Sequence, residues 1–418
     1  MTRRDVERRY ALLSALRWLP IGLGLPFFTL LPLARGLSLA EVGVVLAMHG
    51  ALIFVFEVPS GALADTIGRK RTLLAGGALT AVGTAVFAVA TGLETFALAM
   101  AVVGVGRSLI SGALEAWFVD ALRVVEPDAS LREGLAGGLM LNGVALGFGA
   151  LAAGAVPLLF TALPARGGDL LIRYSPAYLF GAVTAGVYVV AVAALVREPP
   201  RRAVSADAEA LGRSLARDLR DVVRAAVAEG RASRVVRLVL GVSFTMGFAL
   251  SAWELLWQPR LAGLVGGAAD ETLLFGGLVA AGMVVGTTGV ALGLRLAGRF
   301  GAGPTYVGGI LVTAAMLGAL AVASATTPFV ALYLAVAIAM SIGEPLHYEF
   351  LHNAVGDRAR ATLASMESLA LQTGAVVSNL GLAALADATS IPAAWLVAAG
   401  ALAVGALLAA GVARSQAA

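Results

Sequence analysis

Apolar stretches of roughly 20 residues recur along the chain, each long enough to cross the ~30 Å hydrocarbon core of a bilayer as a helix. They lie near 11–34, 41–62, 73–91, 96–119, 134–160, 176–196, 237–257, 272–294, 304–324, 327–351, 361–386 and 391–412. So many spans leave little sequence for a surface facing water. Only 13% of the 418 residues are charged and 59% are hydrophobic, whereas a soluble domain carries about 25% charge. In lipid each segment must satisfy its own backbone polar groups, which restricts such stretches to helices. The expected fold class is an all-α membrane protein with twelve transmembrane helices.

The placement of basic residues orients those helices. Of the 30 Lys and Arg residues, 24 fall in segments on the side of the N-terminus. Four (Arg35, Arg166, Arg173 and Arg260) fall on the other side, and Arg17 and Arg107 lie within stretches. Basic residues concentrate in cytoplasmic loops, so both termini are expected in the cytoplasm. The sequence pI of about 9.7 therefore reports orientation, and no nucleic-acid partner is expected. The chain has no cysteine, which excludes disulfides, thiolate metal sites and thiol catalysis. Arg3, Arg4, Arg8 and Arg9 precede a first stretch longer than the ~7–15-residue core of a secretory signal. It is read as a retained helix, with Pro20, Pro26 and Pro32 of the kind membrane helices tolerate.

The long polar segment after the sixth stretch divides the chain into expected bundles at 1–196 and 237–418, joined by a cytoplasmic linker over 197–236. Within the linker Leu211, Leu215, Leu219, Val222, Val223 and Val227 recur at helical spacing. Two readings stand: an amphipathic helix on the cytoplasmic leaflet and a solvated tether. The halves also resemble each other. Glu115 and Asp120 in the fourth stretch recur as Glu344 and Glu349 in the tenth, 229 positions on, and Gly76-Gly77 recurs as Gly308-Gly309. Internal repeats of this sort mark transporters whose substrate site lies between halves. Two pseudo-symmetric six-helix bundles are expected.

Between the second and third stretches the chain reads Gly61-Ala62-Leu63-Ala64-Asp65-Thr66-Ile67-Gly68-Arg69-Lys70-Arg71. This loop resembles the signature of the major facilitator superfamily, G-x-L-a-D-r-x-G-r-k-x, and departs from it only at Thr66. The resemblance covers essentially the whole chain through its hydropathy pattern, and it implies a transporter working by alternating access. It also implies that Asp65 faces the N-terminus of helix eleven, that Arg69 pairs with Asp120, and that these contacts latch the cytoplasmic side. Gly61 and Gly68 allow close approach and a sharp turn; Arg69, Lys70 and Arg71 also set topology. Glu57, just before the signature, is grouped with this gate and could reach polar partners on helices four or eleven; a structural hydrogen-bonding residue is the favoured reading. The corresponding second-half loop, Gly293 to Gly301, has Ala297 in place of Asp65, so one strong latch is expected.

Charged groups in hydrocarbon cost ~2.5–3.5 kcal/mol on insertion scales and are functional suspects. They are Arg17, Glu57, Arg107, Glu115, Glu254, Glu344 and Glu349, with His49 and His347. The resemblance implies that helices one, four, seven and ten line the cavity, which selects most of this set. Arg107 and Glu115, eight residues apart, are expected near one helix face, where the arginine tunes protonation of the carboxylate. Glu115 and Glu344 lead as proton carriers, with Glu349 and Arg107 in support; a fixed ion-pair network is the alternative. Glu344 and His347 share a helix face at a spacing of three. Trp253 and Glu254 are cavity candidates and Trp257 suits an interfacial belt. Asn142, Gln372 and Asn379 are further polar candidates for the cavity wall.

No phosphate-binding loop, catalytic triad or metal cluster is present, so no cofactor or metal is expected and an enzyme is disfavoured. Exporters similar to this chain often carry G-x-x-x-G-P-x-x-G-G in helix five; here Gly143 and Gly147 match and Phe148 replaces the proline. The favoured reading is proton-coupled efflux of an amphipathic or cationic compound by a monomer in the cytoplasmic (inner) membrane. The alternatives are proton-linked nutrient uptake and a non-transporting receptor. The partners expected are a small molecule, protons and the lipid bilayer.

Overall fold

The computed structural model describes residues 2–198, 233–267, 270–354 and 360–417. Most of the expected linker, 199–232, lies outside the described residues, as does the side chain of Glu57. All regular structure among the described residues is helical, and twelve helices or broken helices are long and apolar enough to cross a membrane.

The first helix, α1 (Arg3–Gly24), starts well before the apolar stretch because Thr2 and Asp5 form a capping box. Each side chain there takes a backbone N–H that the helix leaves without a partner. Pro20 is accommodated inside α1, but Pro26 coincides with the end of the regular turns. The chain continues through a 3-10 turn (Leu25–Phe27) to a short α2 (Leu30–Ala34), so the stretch expected as one helix is interrupted. Next come α3 (Leu39–Ile67), α4 (Arg69–Val89), α5 (Leu93–Ile110), α6 (Ala113–Val125), α7 (Arg132–Ala155) and α8 (Ser175–Leu195). Beyond the polar segment lie α9 (Arg234–Leu264), α10 (Thr272–Phe300), α11 (Ala302–Val322), α12 (Thr326–Ile342), α13 (Glu344–Asn353), α14 (Arg360–Ala388) and α15 (Ile391–Ala417).

The fourth and tenth stretches, expected as continuous helices, are each broken toward their ends. Gly112 stands between α5 and α6 with φ +70°, a left-handed conformation that side chains with a Cβ rarely adopt. Gly343 stands between α12 and α13, followed by Pro345 in the first turn of α13, where a missing N–H costs nothing.

By contacts the described chain divides into two units. The first holds residues 2–37, 48–198 and 270–280; the second holds 38–47, 233–267, 281–354 and 360–417. One packing scheme recurs in both. In the first, α1 packs on α7 and α8, and α4 on α5 and α8; in the second, α9 packs on α14 and α15, and α11 on α12 and α15. Glycines set the closest approaches. A Cβ on Gly22 would lie 2.6 Å from the Leu146 carbonyl oxygen, and one on Gly149 would lie 2.9 Å from that of Leu19. Between α9 and α14, a Cβ on Gly247 would fall on the Leu371 carbonyl and one on Gly374 on that of Phe244. Both glycine pairs are related by the same 225 positions, a repeat that only the packing makes visible.

Polar groups fix several helix ends. In the second unit Asp387 accepts the N–H groups of Leu39 (3.1 Å) and Ala40 (2.8 Å), placing a carboxylate at the positive end of α3. In the first unit Arg173 pairs with Asp270 at 2.6 Å. Arg35 there donates to the carbonyls of Gly167 (2.9 Å), Leu170 (3.0 Å) and Asp169.

Candidate functional site

The signature loop folds around Gly68, whose φ of +100° turns the chain from α3 into α4. Thr72 closes that turn by donating to the Gly68 carbonyl (2.9 Å). The Arg69 guanidinium pairs with Asp120 at 2.5 Å, as the resemblance implies, lies 3.7 Å from Asp65, and donates to the Ala116 carbonyl. Lys70 donates to the Ala193 carbonyl (2.6 Å), tying the start of α4 to the end of α8. Glu198 is an addition that sequence reasoning missed. Its Oε1 accepts the Arg69 backbone N–H at 2.7 Å, so a carboxylate caps the positive end of α4. Gly61 differs from expectation: it sits within α3, and a Cβ there would meet no described atom within 4 Å.

A second cluster gathers inside the first unit. The break at Gly112 removes the common face expected for Arg107 and Glu115. Glu115, in the first turn of α6, instead pairs through Oε1 with Arg17 of α1 at 3.1 Å, while its Oε2 is buried with no partner among the described residues. Arg107 lies over the Trp18 ring (5.5 Å), which also carries Arg17 (5.6 Å). The His49 ring bridges Arg107 (3.4 Å from Nε2) and the Met100 carbonyl (3.1 Å from Nδ1). Arginine only donates and a carbonyl only accepts, so this histidine is neutral with its proton on Nδ1. Asn142 lies beside the shared tryptophan: with its amide turned to match its neighbours, the oxygen accepts the Trp18 indole N–H at 3.2 Å and the nitrogen donates to the Ser14 carbonyl at 3.1 Å.

The second unit contains a cavity of about 520 Å³, within the size range of small-molecule sites. Its wall is largely apolar, with Met246, Met283 and Met340 alongside Trp253 and Tyr333, whose rings stack at 4.7 Å. Three carboxylates, Glu254, Glu344 and Glu367, border it, and no described lining residue is Arg or Lys. Of the sequence candidates, Trp253, Glu254, Glu344 and His347 converge here. Gln372, Asn379 and Glu349 lie off its wall; Asn379 accepts from Ser251 at 2.7 Å within the packed core, and Glu349 is exposed. Trp257 is no belt residue: it is 2% exposed and packs on Tyr333 at 5.0 Å.

The expected pairing of Glu344 with His347 gives way to another. The His347 ring meets Tyr306 at 2.6 Å, Ser243 at 3.2 Å and Glu367 at 3.4 Å. Glu367 was missed because it stands near the start of its apolar stretch, between Met366 and Ser368. The signal was an acid inside hydrocarbon, the criterion that selected the others.

The sequence profile of the Major Facilitator Superfamily matches residues 10–348. No curated protein sequence matches the chain. Among solved structures, the nucleoside transporter NupG superposes with a TM-score of 0.77 at 13% identity, covering 97% of this chain and 98% of that one. A bacterial homolog to the human lysosomal transporter Spinster, inward-facing and unoccupied, gives 0.75 at 14% identity over 99% and 98%. The peptide transporter POT in complex with alafosfalin gives 0.71 at 16% identity over 98% and 94%. At such identities the likeness is one of fold.

Proposed function

The chain belongs to the major facilitator superfamily, and we propose that it exports an amphipathic, cationic solute across the cytoplasmic membrane in exchange for protons. It is a multi-pass membrane protein of a transporter family. The observation that carries the finer reading is the wall of the cavity in the second unit. Three carboxylates with no Arg or Lys among the described lining residues create a negative field that attracts a cation. Aromatic faces bind cations directly, and flexible methionines adapt to varied apolar shapes. A site for a sugar would instead present many neutral amide and hydroxyl groups.

Protons enter the scheme through carboxylates. Glu115 fits the role because Oε1 is held by Arg17 while Oε2 has no described partner, so a proton on Oε2 leaves Oε1 free to accept the Arg17 hydrogen bond from a neutral acid. Glu344 borders the cavity itself. The bias of basic residues supports cytoplasmic termini, with bundles over 1–196 and 237–418 joined by 197–236, working as a monomer.

Reconstitution in liposomes with an imposed pH gradient tests the proposal. Tetraphenylphosphonium should move against the proton flow and collapse to equilibrium when the gradient is dissipated. Gradient-driven movement of a neutral sugar, with the cation left in place, refutes it. The signature loop supplies a second expectation. With Arg69 held by Asp120 and Asp65 assigned to the cytoplasmic latch, Asp65→Asn should slow turnover about tenfold, or ~1.4 kcal/mol, and leave substrate affinity near that of the parent. Altered affinity at normal turnover contradicts that role.

A further inference from the structure

Four helices of the second unit meet at one imidazole. Ser243 comes from α9, Tyr306 from α11, His347 from α13 and Glu367 from α14. His347 Nδ1 lies 2.6 Å from the Tyr306 hydroxyl, and Nε2 lies 3.2 Å from Ser243 Oγ and 3.4 Å from Glu367 Oε1. The two ionisable side chains are only 11% and 13% exposed, yet both border the cavity. Resting on the proton-coupled reading above, we propose that His347 and Glu367 form one proton-binding station in the second unit, distinct from Glu344.

The argument is one of donors and acceptors. A neutral imidazole has one donor and one acceptor, and an imidazolium has two donors. Ser243 Oγ donates to the Val239 carbonyl (3.1 Å), so it offers lone pairs to Nε2, as does an ionised Glu367. Nε2–H is therefore the donor, and the Tyr306 hydroxyl donates to the bare Nδ1. When a proton arrives at Nδ1, the tyrosine hydroxyl turns and accepts. When it arrives at Glu367, the acid donates to Nε2, and the ring proton shifts to Nδ1, which donates to the Tyr306 oxygen. Either way both ring nitrogens keep a partner, and an orphaned buried polar atom costs ~1–3 kcal/mol. Glu344 shares none of these contacts and is exposed.

The surroundings favour positive charge. Beyond the Tyr306, Ser243 and Glu367 contacts, Glu254 of α9 and Tyr333 of α12 face the same cavity, as do Glu344 and Tyr348 of α13 itself. Among the described residues, those of α10 that line the cavity include no titratable group, and α15 contributes none. A proton on the pair and a cation in the cavity then draw on the same negative field. Each weakens binding of the other, and that competition couples the two fluxes.

The chain has three histidines, His49, His347 and His352, so isotope-labelled histidine gives spectra that single His→Gln variants assign. In the full-length protein in nanodiscs, the His347 signal should respond to pH. That response should differ in Glu367→Gln, with Glu367→Asp as the folding control. In liposomes, His347→Gln and Glu367→Gln should lose accumulation of tetraphenylphosphonium driven by a pH gradient, while exchange at equal pH falls far less. A signal that does not respond to pH, or one whose titration is the same in Glu367→Gln, overturns the proposal. So does undiminished accumulation in both variants. If the parent protein does not move the probe, the cation reading of the preceding subsection fails and the titration alone decides the station.

Discussion

Replacing Arg17 with methionine should destabilise the protein in detergent by about 3 kcal/mol, the low end of the range for breaking a buried ion pair. Its guanidinium side chain is 14% exposed and its partner Glu115 is 38% exposed, so solvent screens part of the loss. What remains in Arg17→Met is a carboxylate with one buried oxygen that already lacked a described partner. The Trp18 ring also loses one of the two arginines that flank it. The double variant Arg17→Met, Glu115→Gln should recover most of the stability, because neither charge is left alone. A double-mutant cycle read by thermal unfolding measures this coupling. Additive losses in the double variant would mean that the pair acts as two independent surface charges. The same logic applies to Glu115→Gln by itself, which leaves Arg17 without its anion. Transport by that variant has to be compared at matched folded fraction.

The sequence made legible what the bilayer enforces, and it hid what depends on residues far apart. The spans follow from length and hydropathy, since a chain in lipid has few other options. The Arg69–Asp120 contact was legible because a compact motif specifies it. By contrast, Arg17 and Glu115 are separated by most of a bundle, and spacing along one helix pointed to Arg107 instead. That inference assumed an unbroken helix. The signals against it were local and readable: Ser111-Gly112 in one half, and Gly343 followed closely by Pro345 in the other, are both breaker combinations. Glu367 satisfied the rule that selected Glu344 but stood near the start of its stretch. Which carboxylate reaches His347 depends on how α13 lies beside α14, and no periodicity within either helix encodes that.

Substituting Gly374 with alanine should cost about 1–3 kcal/mol, the typical range for overpacking a tight core, and Gly247→Ala should cost a similar amount. At both sites the new methyl meets a backbone carbonyl of the facing helix, which has no rotamer to change, so α9 and α14 must separate. Separation also forfeits the close approach on which helix pairs in lipid depend, where packing replaces the hydrophobic drive. The control lies in α7: a Cβ on Gly143 or Gly147 would meet nothing within 4 Å. Alanine there gains helix propensity worth up to ~1 kcal/mol. Thermal unfolding of the four variants in one detergent should therefore split by sign, with Gly247 and Gly374 variants melting below the parent and Gly143 and Gly147 variants at or above it. Gly22→Ala and Gly149→Ala extend the test to the equivalent pair in the first unit, where the contacts are 2.6 and 2.9 Å and a smaller loss is expected. Equal tolerance at all six positions would show that the glycines of α1, α7, α9 and α14 do not set the spacing of their helices. The repeat at 225 positions would then be coincidence and not a shared construction principle of the two units.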